Sequence, residues 1–275
     1  MYNKGMSTPT HELYEPLVLA YDHFNHYLFA GELPTVIFTL QRKKNVMGYF
    51  AAQRWGNTKG ETCSEIAINP SYFANCRMIE VFQTLVHEMV HAWQARFGHC
   101  VDAHYHNKEW AQKMISIGLM PSSTGEPGGA TVGRQMSDYI IKRGRFIEVA
   151  DLLLSDKSYQ LKWVDRFALP RLHDSVIADM DITYHHNQSS GQSDDVSVVP
   201  QCINSESLEM HYSNSENEHH MPATHSLPTS FFVEEVARKQ TRSKFECPSC
   251  QVKVYGKHEL NIICGDCHTP FVKSN

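Results

Sequence analysis

The sequence predicts a protein of the α+β class, with one larger domain and a small separate module at the C-terminus. Long segments with apolar residues at helical spacing occur beside short segments in which apolar and polar residues alternate. The 275 residues, of which 41% are hydrophobic, suffice for one core of ordinary size. A cysteine-rich C-terminal segment is too short to sustain a core without a further stabilising element.

The chain begins with a helix followed by strands. Apolar residues recur at helical spacing from Thr10 to Ala30, and Gly31 provides a stop signal. Every second residue from 36 to 40 is a large apolar one, which predicts a half-buried strand. Two further short strands are predicted at residues 48–51 and 65–69.

Two more helices follow, so that three main helices would pack against a small sheet. The segment 75–97 keeps the helical period and is followed by Gly98, a common residue after the last turn. The segment "NKEWAQKMISIGL" predicts the third helix, which Asn107 could cap and Gly118 could end.

Composition divides the chain into three parts. The larger domain is predicted at residues 10–172, and the C-terminal module at 240–275. Between them, residues 173–232 are rich in Ser, Asn, Asp and His, and the stretch 171–230 contains nine acidic residues against one arginine. Such a segment buries too little apolar surface to offset the entropy of ordering, so it is predicted to be a disordered acidic linker.

The same composition predicts a cytoplasmic protein that is neither secreted nor inserted in a membrane. No apolar run reaches the roughly 18 residues of a membrane span, and the N-terminal stretch lacks the features of a signal peptide. Four of the eight cysteines form two C-x-x-C pairs. In a reducing compartment this spacing indicates metal binding rather than disulfides.

The sequence "TLVHEMVHAW" lies within the second predicted helix. His87 and His91 are one helical turn apart, so both imidazoles can bind one cation, and Glu88 can reach a water on that cation. The cation would lower the pKa of the water and the carboxylate would accept its proton, which is the chemistry of hydrolysis. The alternative is a pair of core histidines bonded to backbone carbonyls, although polar rings among apolar neighbours are costly to bury without partners.

A hydrolytic zinc site usually has a third protein ligand and one open position. The metzincin continuation is excluded, because Gln94 and Phe97 stand where that class has glycine and histidine. The remaining candidates are His99, His104, His106 and Glu109. His99 follows the helix-ending Gly98 at once, whereas His106 directly precedes a helix that can pack against the second one.

The segment "HEMVHAWQARFGHCVDAHYHNKEW" resembles the SprT-like family of zinc metalloproteases. In that family H-E-x-x-H is followed by a third histidine in an H-x-x-E-[WF] signature, which residues 106–110 match. The segments "DHFNHYLFAGELPTVIF" and "EIAINP" are also similar, so the resemblance spans about 12–170. It implies a zincin-like fold, with His87, His91 and His106 as zinc ligands and Glu88 as the catalytic base.

The resemblance implies a zinc-dependent endopeptidase that acts on protein substrates, including proteins bound or crosslinked to DNA. A rival hypothesis is a non-proteolytic nucleic-acid-binding or stress-response protein in which the zincin domain is structural. A zinc hydrolase with a non-protein substrate is a third alternative.

Several neighbouring residues have both a functional and a structural interpretation. Glu109 matches the family signature, but it is also a first-turn acid that the helix dipole favours. Asp102 and Glu80 could orient a ligating imidazole or lie on the solvated surface. Met136 and Tyr139 could lie beside the metal, although core packing is the simpler interpretation.

The C-terminal cysteines predict a second, structural zinc ion. The four thiols belong to Cys247, Cys250, Cys264 and Cys267, with 13 residues between the two pairs. Two such pairs can close a tetrahedral site whose metal supplies the folding energy of a zinc ribbon. His258 and His268 are alternative ligands, but four paired thiolates need neither of them.

Basic residues form three groups that could contact DNA, single-stranded or in DNA–protein crosslinks, and that are compatible with association with the nucleoid. They are Arg42, Lys43 and Lys44; Lys142, Arg143 and Arg145; and Arg238, Lys239, Arg242 and Lys244. Each group taken alone is more often a solvated surface. Phosphate binding by these side chains should weaken steeply as salt is added.

Overall fold

A computed structural model describes residues 7–100, 105–172, 175–180, 231–233 and 242–274. The chain divides into two compact units at the Val233–Glu234 bond. The predicted α+β class is confirmed, since helices and small sheets occur together in the first unit. Within the described ranges, no helix combines the length and the apolar character that crossing a membrane requires.

The first unit contains helices of very different length and two small sheets. Its described helices are α1 (Pro9–Leu28), α2 (Pro70–Phe73), α3 (Met78–Phe97), α4 (Lys108–Ser116) and α5 (Arg145–Leu154). Its strands are β1 (Val36–Leu40), β2 (Gly48–Gly56), β3 (Thr62–Ile68), β4 (Leu119–Ser122), β5 (Ser137–Ile141) and β6 (Ile177–Ala178).

Helix α1 begins and ends close to the predicted limits. The Thr8 side chain accepts a hydrogen bond from the His11 N–H at 3.4 Å, and a proline occupies the first turn, where it leaves no amide unsatisfied. After the helix, Ala30 and Gly31 both adopt positive φ angles. The apolar stripe on α1 buries Phe24 completely against Phe82 of α3 and Phe146 of α5.

The first sheet has the order β1-β3-β2, with β1 parallel and β2 antiparallel to the central strand. Strand β2 is longer than predicted and its register shifts between Ala51 and Trp55. The second half of β3 is buried, so Ile66 and Ile68 face the helices in the main core. Strand β2 lies at one edge of this sheet and contacts α3.

A second sheet and a fourth long helix were not predicted from the sequence. Strands β4, β5 and β6 form this sheet in that order, with β4 antiparallel and β6 parallel to β5. Helix α5 buries Phe146 and Ala150 in the core that α1 and α3 share. The second sheet extends beyond residue 172, the predicted limit of the larger domain, because β6 at Ile177–Ala178 pairs with β5.

Most of the predicted linker, 173–232, lies outside the described residues. The exceptions are 175–180, which include β6, and residues 231 and 232. At 231–233 the chain contacts Arg166, whose Nε donates a hydrogen bond to the Phe231 carbonyl at 2.7 Å and whose carbonyl accepts one from the Val233 N–H at 2.9 Å.

The second unit is a three-stranded antiparallel sheet with the order β8-β7-β9. Its strands are β7 (Ser243–Glu246), β8 (Lys253–Gly256) and β9 (Val272–Ser274). Phe245, on the central strand, is its main buried aromatic residue. The rest of its buried surface comes largely from cysteines, as expected for a unit of this size without a sizeable core.

Candidate active site

Helix α3 carries His87, Glu88 and His91, with the two histidines on one face as predicted. His87 and His91 lie one turn apart, with ring centroids separated by 5.3 Å. The flanking residues Val86, Met89 and Val90 are fully buried, so the helix cannot rotate to expose the histidines without losing its core contacts. The helical period therefore decides which way both rings point.

His106 approaches these rings from a separate segment just before α4. Its backbone forms a two-way bridge with Gly133, with N–O distances of 2.8 and 3.0 Å. Its Nε2 atom lies 3.1 Å from the Nε2 atom of His91. One ligand atom from each of His87, His91 and His106 lies within 4.8 Å of the others, so the structure brings these three predicted residues together.

Two hydrogen bonds orient the imidazoles. Asp138 Oδ2 lies 2.9 Å from Nδ1 of His87, and the Gly133 carbonyl lies 3.0 Å from Nδ1 of His106. In His87 and His106 the Nδ1 atom takes part in these hydrogen bonds, so Nε2 is available to bind a metal ion. Such outer partners set the tautomer and direction of metal-binding histidines.

Asp138 is a residue that the sequence analysis missed. It lies on β5, 51 positions beyond His87, and its other oxygen accepts a hydrogen bond from Gln83 Nε2 at 2.8 Å. The only available signal was an acidic residue inside an apolar strand, and a buried carboxylate of this kind needs partners. Glu80, which was considered for this role, instead accepts hydrogen bonds from Arg77 at the start of α3.

Trp110 packs against all three histidine rings. It is fully buried, and its ring centroid lies 5.0 Å from that of His87, 5.3 Å from His91 and 4.4 Å from His106. Trp110 is thus a core residue whose ring also contacts all three histidines.

The protonation tendencies of the histidines differ. Burial, followed by the charge of His87, lowers the pKa of His91 far below its ordinary value and that of His106 to about 4. Burial also acts to lower the pKa of His87, but the hydrogen bond with Asp138 and the charge of Glu88 outweigh it and raise the pKa. His91 and His106 are thus neutral imidazoles at neutral pH, the form that binds metal ions.

Glu88 is buried beside the cluster, under the edge strand β2. Burial raises the pKa of its carboxyl to about 7, although His87 and a hydrogen bond from the Phe50 N–H both act to lower it. A group with a pKa near neutrality can both accept and release a proton at physiological pH. Gly48 of β2 lies beside this side chain, since a methyl group at that position would be in ordinary contact with Glu88 Cγ at 3.5 Å.

The donor geometry fits a metal ion. In a tetrahedral site with metal–nitrogen bonds of about 2.05 Å, adjacent nitrogens are about 3.3 Å apart. The Nε2 atoms of His91 and His106 are separated by 3.1 Å, close to this value. The three histidines could therefore hold one metal ion.

The four predicted cysteines also converge. Cys247, Cys250, Cys264 and Cys267 have sulfur atoms within 4.8 Å of one another. The Cys250 and Cys264 sulfurs are 3.7 Å apart. A tetrahedral site with metal–sulfur bonds of about 2.3 Å requires about 3.8 Å. The group could hold a metal ion and is compatible with a zinc ribbon.

The two cysteine pairs are built alike. The N–H of Gln251 bonds to the Cys247 carbonyl at 2.9 Å, and that of His268 to the Cys264 carbonyl at 2.8 Å. Both residues have positive φ angles, 61° and 50°. Each pair is thus a tight turn that exposes amide groups to sulfur, and the Cys250 N–H above all lowers the pKa of Cys247 to about 7.

The remaining ligand candidates lie elsewhere. His99 is exposed and faces the Glu109 carboxylate at 3.3 Å, so neither residue belongs to the histidine cluster. His104 and Asp102 lie outside the described residues. In the C-terminal unit, neither His258 nor His268 belongs to the four-cysteine group.

Met136 and Tyr139 are placed mainly by packing. Tyr139 is buried in a small cluster with Met120 and Ile141, which agrees with its structural interpretation. Met136 packs against the main core, and its sulfur lies near Gly133.

The predicted DNA-contacting residues are distributed over several loops and both units. Arg42 Nε lies 2.6 Å from Asp165 Oδ2, and the Lys43 ammonium lies 6.0 Å from the Tyr49 ring centroid. Lys44 is exposed in the same loop, Lys142 and Arg143 lie in the β5–α5 turn, and Arg145 is the first residue of α5. Arg242 precedes β7, Lys244 is 3.8 Å from Glu246, and Arg238 and Lys239 lie outside the described residues.

Comparisons with known proteins agree with the geometry of the first unit. The SprT-like family model matches residues 18–127, which extend from α1 past α4 and include all three histidines. No solved structure matches the chain significantly.

A curated relative extends the agreement. The "uncharacterized protein in mucB 3'region" of Salmonella typhimurium is 45% identical over 63 residues, which are 22% of this chain and 85% of that protein. The matched segment thus covers most of the relative. The chain therefore belongs to the SprT-like family and contains a domain of the metalloprotease type.

Proposed function

We propose that this protein is a zinc-dependent endopeptidase of the SprT-like type. The observation that carries the proposal is the convergence of three imidazole nitrogens, from His87, His91 and His106, next to the buried carboxylate of Glu88. Three nitrogen ligands from protein leave one tetrahedral position for water or substrate, which is the arrangement of catalytic rather than structural zinc.

In this mechanism His87, His91 and His106 hold the metal. When bound, zinc lowers the pKa of water and polarises the substrate carbonyl. Glu88 accepts the proton of the attacking water on its carboxylate and later donates it to the leaving amine nitrogen, so the peptide C–N bond breaks and a carboxyl and an amine form.

The environment of Glu88 supports this role. The Phe50 N–H and the packing of β2 keep the carboxylate in place, so that little reorganisation is needed during proton transfer. Asp138 orients His87 through Nδ1 and would stabilise the positive charge that this ring would gain as a metal ligand. Trp110 excludes water from the inner side of the cluster.

We further propose that the four cysteines hold a second, structural zinc ion and that the C-terminal unit contacts DNA. Tyr255 is 68% exposed on β8, and it pairs across the sheet with Lys244. Lys253 lies two residues before it on the same face. An exposed aromatic ring beside ammonium groups can stack on a nucleic-acid base while the cations contact phosphates.

Substrates in this proposal are proteins bound or crosslinked to DNA. Binding of the C-terminal unit to DNA would raise the local concentration of the protease near such substrates. The rival function, a non-proteolytic nucleic-acid-binding protein, shares the DNA contact and the metal sites but makes no use of the buried base Glu88.

A paired cleavage assay tests the proposal. Wild type and Glu88→Gln are each incubated with a DNA-binding protein, with and without single-stranded DNA, after zinc content has been measured for both. We expect equal zinc content, cleavage by wild type that DNA increases, and a fall of at least about 100-fold in the variant.

Three results would count against parts of the proposal. Equal cleavage by both proteins would remove the role of Glu88. A cleavage rate that DNA does not change would contradict the proposal that the substrates are proteins bound to DNA. DNA binding without turnover by wild type would favour the non-proteolytic alternative.

A further inference from the structure

The third histidine differs from the other two in how it is held. His87 and His91 belong to α3, whose buried residues fix their positions, whereas His106 lies outside any helix, one residue before the cap of α4. Its place therefore depends on its bridge with Gly133 and on the contacts that fasten the start of α4 to the end of α3. The contacts between these two helix ends are consequently relevant to metal binding.

A polar cluster joins these helix ends. Gln94, which is only 2% exposed, donates from Nε2 to Asn107 Oδ1 at 2.8 Å. Asn107 in turn donates from Nδ2 to the His99 carbonyl at 2.9 Å. Gln94 follows His91 by three positions, and Asn107 directly follows His106. The Gln94–Asn107 bond therefore lies close to the His91–His106 contact.

Glu109 completes this cluster. Its Oε2 accepts the His99 N–H at 2.6 Å and lies 3.4 Å from Gln94 Nε2, while Oε1 is 3.3 Å from His99 Nδ1. The carboxylate thus binds the first residues after α3 from its own position in the first turn of α4. A first-turn acid that served only the helix dipole would need none of these partners.

Gly98 provides an independent indication. Its φ of −110° and ψ of −167° are open to any residue, so the backbone does not require glycine. A methyl group there would lie 2.5 Å from Glu109 Oε2, 2.9 Å from Glu109 Cδ and 3.1 Å from Gln94 Cγ. Glycine at this position therefore makes room for the carboxylate.

We propose that Glu109, with Gln94 and Asn107, forms a clasp that positions His106 for the metal before the metal binds. The inference rests on the proposed metal site, and it makes Glu109 a positioning residue. Because the clasp acts on one ligand, its loss should weaken zinc binding at the histidine site and leave the metal-free fold largely intact.

The test measures zinc affinity of the full-length protein by competition with a chromophoric chelator, with His106→Ala as the reference for binding to the four cysteines alone. Glu109→Ala and Gly98→Ala should weaken the histidine site about tenfold or more. Glu109→Gln, which keeps an oxygen for the His99 N–H, should restore part of the affinity.

Two matched controls distinguish loss of the clasp from loss of a helix-dipole contact and from the addition of a methyl group to a glycine. Glu148 is the exposed first-turn acid of α5, so Glu148→Ala removes a helix-dipole contact without touching the cluster. Gly56→Ala adds a methyl group with no described heavy atom within 4 Å. Both controls should bind zinc like wild type, and thermal unfolding of the metal-free proteins checks that each variant is folded.

The outcomes are distinguishable. Wild-type affinity in Glu109→Ala would overturn the clasp while leaving the metal site. Identical binding by wild type and His106→Ala would remove the metal site and the clasp together. If Glu109→Ala does not fold, Asn107→Asp decides: it keeps the cap acceptor for the Trp110 N–H at 3.0 Å but replaces the donor to the His99 carbonyl with an oxygen. Weaker zinc binding in this variant would support the clasp, and wild-type affinity would overturn it.

Discussion

Asp138 Oδ2 lies 2.9 Å from His87 Nδ1, and this contact joins the second sheet to the helix that carries His87, Glu88 and His91. The other carboxylate oxygen, Oδ1, accepts a hydrogen bond from Gln83 Nε2 at 2.8 Å. Each oxygen of Asp138 therefore faces a donor.

This arrangement predicts that Asp138→Asn lowers zinc affinity by about tenfold to 100-fold. The amide has one acceptor and one donor group, so in either orientation its NH₂ would face the His87 N–H or the Gln83 amide. Chelator competition measures the loss. Asp156→Asn, at a fully exposed turn that accepts hydrogen bonds from Ser158, is the control, and equal losses in both variants would contradict the orienting role.

The two metal groups should lose zinc independently. His106→Ala and Cys250→Ser are each expected to reduce zinc content from about two ions per chain to about one, and the double variant to nearly none. Elemental analysis after gel filtration gives the stoichiometry. Retention of both ions in Cys250→Ser would contradict the four-thiolate site.

Substitution of Gly48 should lower stability, because β2 lies close to β3 and to α3 at this residue. An added methyl group would stand 3.0 Å from the Ala67 carbonyl oxygen and 3.0 Å from Thr84 Cγ2. Gly48→Ala should lower the free energy of unfolding by about 1–3 kcal/mol and also lower cleavage. Urea denaturation measures the first effect.

Gly56→Ala in the same strand is the control, with an expected change within about 0.5 kcal/mol. A loss of the same size in both variants would indicate that strand propensity, rather than crowding against α3 and β3, explains the result.

The Arg42–Asp165 contact should give a pH-dependent contribution to stability. Burial acts to raise the pKa of Asp165, but the hydrogen bonds from Arg42, at 2.6 Å, and from the Phe167 N–H outweigh it and lower the pKa. A depressed carboxyl pKa stabilises the fold above the unfolded value of about 3.9 and loses this effect as pH falls through the folded value.

Asp165→Asn should therefore be less stable than wild type by roughly 0.5–1 kcal/mol near neutral pH, a small value because the Arg42 side chain is 67% exposed. The difference should shrink below about pH 4. Urea denaturation across pH measures it, and a difference that does not change with pH would show that the lost hydrogen bonds, not the charge, are responsible.

The local sequence determined the elements that depend on short-range patterns. The period of α3 places His87 and His91 on one face with Glu88 beside them, and the caps Thr8 and Asn107 mark where α1 and α4 begin. The two C-x-x-C turns were likewise predictable, because each is built from residues within a few positions of one another.

The role of His106 was predictable from the sequence only in part. Spacing alone left four candidates for the third ligand, and the resemblance to the SprT-like family selected this histidine. The structure brings its ring to the other two through the Gly133 bridge and the Gln94–Asn107 bond.

Only the tertiary structure decided which groups surround the three histidines. Asp138 reaches His87 because the pairing of β4, β5 and β6 carries that carboxylate beside α3, and no local pattern encodes a contact across 51 positions. Long-range contacts of this kind depend on the packing of the whole core, whereas the helical period and the turn preferences depend on neighbours in the chain. The ligand motif is therefore a property of the sequence, and its orientation is a property of the fold.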